Sequence, residues 1–260
     1  MLGRRQYWVL CAWMVGLCTV AWAEDVSGIE LESGEARLVV RPQSAKEAHA
    51  YLLGVLRDMP FFRANGYEVA LPEHPAFSDE VETPGDLALF RQEIYRIEPF
   101  QPALRRLNEG RDKLDATLAW FAGLPELDGF RRYPLYEVTL TLYGSGGSYR
   151  PDTGRIILFT RPDGSFKGGG GVHTIAHEMM HLAVEEGIVQ RFALSHWEKE
   201  RLIDLLVKGH LGHLFPDYRL QQNGVDALDR YLDGVPLTGV AAAIAGYRAD
   251  HPVEQSRDAG

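Results

Sequence analysis

The sequence predicts an α+β fold in which a small antiparallel or mixed sheet supports a set of helices, the C-terminal part being mainly helical. Three observations carry this. Polar and apolar residues alternate in "GIELESGEARLVVRP" (28–42), two β-branched and aromatic runs occur in "LYEVTLTLYGSGGSYRPDTGRIILFTRPDG" (135–164), and most of the remainder repeats apolar residues at helical spacing. At 260 residues the chain can bury a full core as one domain or one domain with two lobes.

The first 23 residues stand apart. Arg4 and Arg5 precede a short apolar stretch that ends in Ala21-Trp22-Ala23, which is the pattern of a cleaved secretory signal and is too short for a membrane anchor. No later run is long enough to cross a bilayer, so the expectation is an exported protein, periplasmic or secreted, with no membrane span after cleavage. Both cysteines, Cys11 and Cys18, lie in this segment, leaving a mature chain that must hold any metal with His, Asp and Glu. Removing Arg4 and Arg5 leaves 25 basic against 36 acidic residues, a net charge of −11. That deficit of cations argues against nucleic acid as a partner.

The elements follow in order. The alternation in 24–42 suits a strand or two, and 43–59 reads as a helix. Four prolines between 60 and 84 mark an irregular connection with room for a short strand at 67–71. Helices are expected at 84–97 and 101–121, separated by Pro99 and Pro102. Arg105, Arg106, Arg111 and Lys113 on the second are interleaved with acids and read as a solvated face. These elements form a mainly helical N-terminal lobe, 24–130. The lobe 131–260 starts with a hairpin-like strand pair joined by a Gly/Ser-rich turn. "GSGGS" (144–148) lacks the Gly-Lys-Ser/Thr ending of a phosphate loop and the frame of a nucleophile elbow. Helices are then expected at 172–187, 196–208, 224–233 and 237–248.

The chemistry concentrates in "GVHTIAHEMMHLAVEEG" (171–187). On a helix, His177 and His181 point the same way, and Glu178 stands beside them, which is the His-Glu-x-x-His arrangement of a zinc site with a carboxylate to take a proton from water. This pattern arises by chance in about one chain in a hundred of this length, so its context has to carry weight. The surrounding residues are apolar on nearly every side, and buried histidines and a buried glutamate need partners there. A metal supplies them.

A catalytic site needs a third protein ligand. Glu185 and Glu186 lie too far along the helix, about 12 Å of axial rise separating Glu185 from His177. The next helix offers Glu198 and Glu200. Ser195 and Glu198 form a capping box, which gives Glu198 a structural task. His177-Glu178-x-x-His181, followed after 18 residues by Glu200, resembles the gluzincin pattern of thermolysin-like proteases and zinc aminopeptidases over about 155–204. The resemblance implies a zincin fold with one Zn²⁺ per chain, Glu200 as third ligand, Asp204 as the carboxylate that buttresses a ligand histidine, and Glu178 as general base. The strand 155–160 precedes the motif helix as the substrate-pairing edge strand does in zincins, and it reads either as such an edge or as an ordinary buried strand. Two features depart from the family: Lys199 stands where asparagine is usual, and no G-x-M-E-N segment for a free amino end is found.

A group stabilising the oxyanion is expected from downstream, the candidates being His196, His210, His213, Tyr218 and Tyr231. His173, one turn before His177, is a further cleft candidate, and His210 with His213 a candidate second metal pair that its helix-end position makes a surface feature. The expected activity is hydrolysis of peptide bonds in a peptide or protein. The competing reading is a non-catalytic, metal-stabilised binding or scaffold protein of the cell envelope. Glu178 argues against it, since a purely structural site has no use for that carboxylate.

Overall fold

The opening alternation forms a hairpin. β1 (Ile29–Ser33) turns through Gly34, whose φ of 57° disfavours a side chain, into antiparallel β2 (Ala36–Pro42). A computed structural model describes residues 28–167 and 170–252; the expected signal at 1–23, with Cys11 and Cys18, lies outside them. β2 pairs in parallel with β3 (Leu135–Thr141), and β3 in parallel with β5 (Arg155–Phe159). β4 (Gly147–Arg150) pairs antiparallel with β5, completing a mixed five-stranded sheet of order β1-β2-β3-β5-β4.

Two expectations change here. The apolar runs after residue 134 are parallel neighbours rather than a hairpin, because the Gly/Ser-rich segment between them is itself strand β4. The chain leaves β3 through a bend at Gly144 (φ 94°), runs out to the edge as β4, and returns as β5 between β3 and β4. β5 is therefore interior, the buried strand of the two readings of 155–160, and the edge is β4. The sheet also takes strands from both expected lobes, β1 and β2 from 24–130 and the rest from 131–260, and one hydrophobic core runs across both segments.

Helix α1 (Ala45–Arg57) begins at a Ser44–Glu47 capping box and is followed by the short α2 (Met59–Ala64). The strand allowed at 67–71 is a single bridge, Ala70 to Gly144. The helix expected at 84–97 shortens to α3 (Leu87–Leu89) and a π-helical turn (Phe90–Ile94). That expected at 101–121 divides at Gly110 into α4 (Gln101–Glu109) and α5 (Arg111–Ala122). A Cβ at Gly110 would lie 2.8 Å from Val172 Cγ2, so the break falls where the chain at 172 crosses closely. α6 (Gly171–Val184) ends in a π-helical turn (Glu185–Gln190), and α7 (His196–Leu211) follows. The segment 224–233 holds only a 3-10 turn and α8 (Asp229–Leu232), before α9 (Val240–Asp250).

α5 packs on β1 and β2, α6 on β4 and β5, and α7 on α6. Inward residues such as Leu38, Val138 and Ile156 join Leu118, Ile175 and Met179 in the main core, each fully buried side chain contributing about 1.5–3 kcal/mol. Elsewhere Arg41, Glu137 and Arg155 form a cross-strand ladder of ion pairs over β2, β3 and β5, with Glu47 of α1 closing it. A second, smaller core of Ala48, Leu52, Phe77, Phe90 and Tyr143 anchors α1 and the 75–94 segment beside the chain leaving β3.

Candidate metal centre

Every residue of α6 from Ile175 to Val184 is buried, so the polar groups on it must find partners inside the protein. α7 brings them. Its start is fixed by the capping box, in which Ser195 N–H donates to Glu198 Oε2 at 2.7 Å, and Glu198 is held further by Tyr247 Oη at 2.6 Å and Arg248 Nη2 at 3.0 Å from α9. With that carboxylate engaged at the helix start, Glu200 faces α6.

The Nε2 atoms of His177 and His181 lie 3.0 Å apart, and Glu200 Oε2 is 3.2 Å from the first and 3.5 Å from the second. The three residues are 9 %, 2 % and 8 % exposed, so their donor atoms are sequestered from water. Metal–ligand bonds of about 2.0–2.1 Å in tetrahedral geometry place ligand atoms about 3.3 Å apart. The observed triangle fits one face of such a tetrahedron, and the cluster could hold a metal ion. Among the described residues it is the one grouping of three such side chains with ligand atoms this close.

The surrounding groups orient the donors. Tyr218 O–H donates to Asp204 Oδ1 at 2.7 Å, and His177 Nδ1 lies 2.7 Å from the same hydroxyl. With the tyrosine proton committed to Asp204, Nδ1–H is the donor to Tyr218, which leaves Nε2 as the atom that faces the cluster. Asp204 Oδ1 is also 3.4 Å from Nδ1, and Gln221 ties both carboxylates, its N–H to Asp204 at 2.5 Å and its amide to Glu200 at 2.8 Å. His181 is held differently. Its Nδ1 has no hydrogen-bond partner among the described residues, and the ring is fixed by the parallel stack of Tyr149, 4.6 Å between centroids at 12°.

Electrostatics follow from this packing. Burial lowers the His177 pKa, but Asp204 and Glu200 outweigh it and raise it to about 10. Burial holds His181 neutral, down to about 4, against the attraction of Glu200. Glu200 is burdened by burial yet stays far below the usual carboxylate range because of the two imidazoles. Three carboxylates, Glu178, Glu200 and Asp204, thus surround two imidazoles at positions no more than 9 % exposed, a balance suited to a divalent cation.

Glu178 is 5 % exposed and turns from α6 toward β4. A Cβ on Gly147 would lie 2.1 Å from its Oε1, so the edge strand needs glycine at the point where the carboxylate rests. Burial foremost, then the nearby Glu200 charge, pushes its pKa up to about 7, near the value a general base needs at neutral pH.

The remaining candidates scatter. His196 borders the cluster, with Nδ1 3.8 Å from Glu200 Oε1 and Nε2 2.9 Å from Tyr67 Oη. His173 lines the cleft one turn before His177, edge-on to Phe215. Tyr218 lies behind His177 with its proton engaged, a positioning group and not a free donor. Tyr231 is bonded to Asp250 on α9, His210 sits beside Trp120, and His213 is exposed beyond α7, none of them lining the cleft. Glu185 accepts from Tyr149 Oη at 2.5 Å and Glu186 pairs with Arg131, both outside the metal triangle. Sequence reasoning missed Tyr67, Tyr149, Gly147 and Gln221. The first and last are remote from the motif, while the other two lay in a segment read as a turn.

The cluster sits in a cleft of about 800 Å³ bordered by β4 on one side and by Phe61, Phe62 and Tyr67 on another. Phe159 N–H donates to Gly146 O at 2.8 Å, and in antiparallel register this turns the N–H and C=O of Gly147 and Tyr149 away from β5, off the sheet edge. Compared with protein families, curated proteins and solved structures, the chain matches none. The functional reading therefore rests on this geometry.

Proposed function

We propose that the chain is an exported zinc-dependent peptidase of the zincin type, with Zn²⁺ held by His177, His181 and Glu200. The observation that carries the proposal is that those three donors, the Glu178 carboxylate and β4, the edge strand of the described sheet, line one cleft. Two imidazoles and one carboxylate in a tetrahedral face, with no thiol among the described residues, favour zinc among the common metals. Zinc bound there supplies a Lewis acid that makes water nucleophilic at neutral pH and polarises a carbonyl.

The residues of the chain divide the remaining work. Asp204 and Tyr218 keep His177 Nε2 facing the cluster as a donor atom. Gly147 and Tyr149 offer backbone N–H and C=O groups to an extended peptide, aligning it by strand addition. Glu178 takes the proton of the attacking water and passes it to the leaving amine. His196, with Tyr67 bonded to it, is the candidate donor to the oxygen of the scissile carbonyl.

The test combines metal analysis with hydrolysis of a broad peptide library. Wild type is expected to carry about one equivalent of zinc and to cleave. Glu178→Gln should retain the metal and lose cleavage by about a hundredfold or more. Zinc-loaded wild type that cleaves nothing across such a library would leave the scaffold reading in its place.

A further inference from the structure

We infer that the aromatic wall of the cleft, formed by Phe61, Phe62 and Tyr67 and backed by Trp197, is a subsite for a large apolar side chain of the peptide, close to the bond that is cut. The inference rests on the peptidase reading and adds a substrate class to it.

These four rings pack on one another. Phe61 stacks on Tyr67 (6.2 Å, 27°), Tyr67 on Trp197 (6.4 Å, 24°), and Phe62 meets both Phe61 and Tyr67 edge-on. None of them belongs to either hydrophobic core of the described residues. Phe61 is 47 % exposed, the most of any large apolar side chain described, and it lines the cleft of the metal cluster. A single exposed ring is ordinary; a contiguous aromatic patch on the wall of a polar cleft, outside the core, points to a ligand.

Its position selects the occupant. Tyr67 Oη bonds His196 Nε2 at 2.9 Å, and His196 Nδ1 is 3.8 Å from Glu200 Oε1, so the wall stands one side chain away from a metal donor. Phe61 meets the same imidazole edge-on at 5.8 Å. A peptide aligned on Gly147 and Tyr149 runs through the same cleft that Phe61, Phe62 and Tyr67 line. The rings offer dispersion and apolar cover to what lies against them, and Lys167, whose Nζ is 5.9 Å from the Tyr67 ring centroid, disfavours a second cation there. The side chain that fits is large, apolar and preferably aromatic.

The experiment uses the full mature chain with zinc and a set of quenched peptides differing only in one residue, Phe, Leu, Ala or Lys, placed in turn on either side of the cut. In the Glu178→Gln protein, where the peptides stay intact, the Phe peptide at the preferred position should bind at least about tenfold tighter than the Ala peptide. Phe61→Ala in that background should bring the ratio close to one at unchanged zinc content, and Phe61→Leu should restore part of it. In the active protein, Phe61→Ala should appear as a rise in KM for the Phe peptide with kcat little altered. Equal binding of Phe and Ala peptides at every position, or a Phe61→Ala loss of the same size for all peptides, overturns the subsite. Selective binding by Glu178→Gln beside a wild type that cleaves nothing supports the subsite and removes the peptidase reading; cleavage without selectivity does the opposite.

Discussion

The floor of the cleft and its aromatic wall are built differently. The floor, α6 and α7, lies within the main core, and its polar groups are tied by a mesh of short contacts from Tyr218, Gln221, Tyr247 and Arg248. The wall, α2 and the chain to Tyr67, stands outside both cores and adjoins α1, which rests on five buried residues, Ala48, Leu52, Phe77, Phe90 and Tyr143. Dense packing holds donor atoms to the few tenths of an ångström that coordination demands. Side-chain selectivity needs less, because apolar contact is non-directional. Substitutions in the floor should therefore remove chemistry or stability, and Phe61 substitutions in the wall should alter preference with little effect on folding stability.

The largest break in that comparison is expected at Glu200. Glu200→Ala removes one of three donors, and zinc should fall from about one equivalent to near zero after dialysis. Full retention would show that another residue completes the site. Glu198, two residues earlier, should behave otherwise. Its pKa is held down to about 2, burial being outweighed by Arg248, Tyr247 and Ser195. A carboxylate depressed in the folded state stabilises it above the unfolded pKa of about 4.5 and loses that contribution as pH falls toward 2. Denaturant titrations should show that loss in wild type and a flatter acid profile in Glu198→Gln. Glu198→Ala should keep zinc while costing about 2–3 kcal/mol at neutral pH, more than a cap alone, since Arg248 loses its carboxylate.

Smaller effects sharpen the contrast. Asp204→Asn should weaken zinc affinity about 10–100-fold, as loss of an orienting carboxylate does, with Tyr218→Phe toward the lower end because Asp204 still faces His177 Nδ1. Competition with a calibrated chelator measures both; unchanged affinity in both variants would show that the buttress is dispensable. Phe61→Ala should shift unfolding stability by no more than about 0.5 kcal/mol, as its ring is half exposed and outside the core.

The parts legible in the sequence are those with local causes. The i, i+4 pair His177 and His181 shares a helix face by geometry alone, Ser195 and Glu198 announce a helix start three residues apart, and the alternation of Ile29 to Val40 marks its own inward face. Long-range arrangement was not legible. β4 is four residues long and glycine-led, too short for a pattern, and the insertion of β5 beside it depends on pairing that no segment encodes singly. Tyr218 carried a visible hydroxyl, but only its fold partner Asp204 reveals that the proton is engaged behind a ligand. Tyr67 meets His196 across 129 positions of chain, a distance at which spacing says nothing.

The free margin of β4 also bears on how the protein avoids clumping. An unpaired strand is a template for fibril-like growth, and the opposite margin, β1, blunts it with Glu30 and Glu32 facing Arg37. Gly147, Ser148 and Tyr149 carry no such charges. They share a cleft with Phe61, Phe62 and Tyr67, and those rings are the bulk that a second sheet would have to displace, so damage to that wall should surface first as insoluble material in the preparation, before any fall in melting temperature.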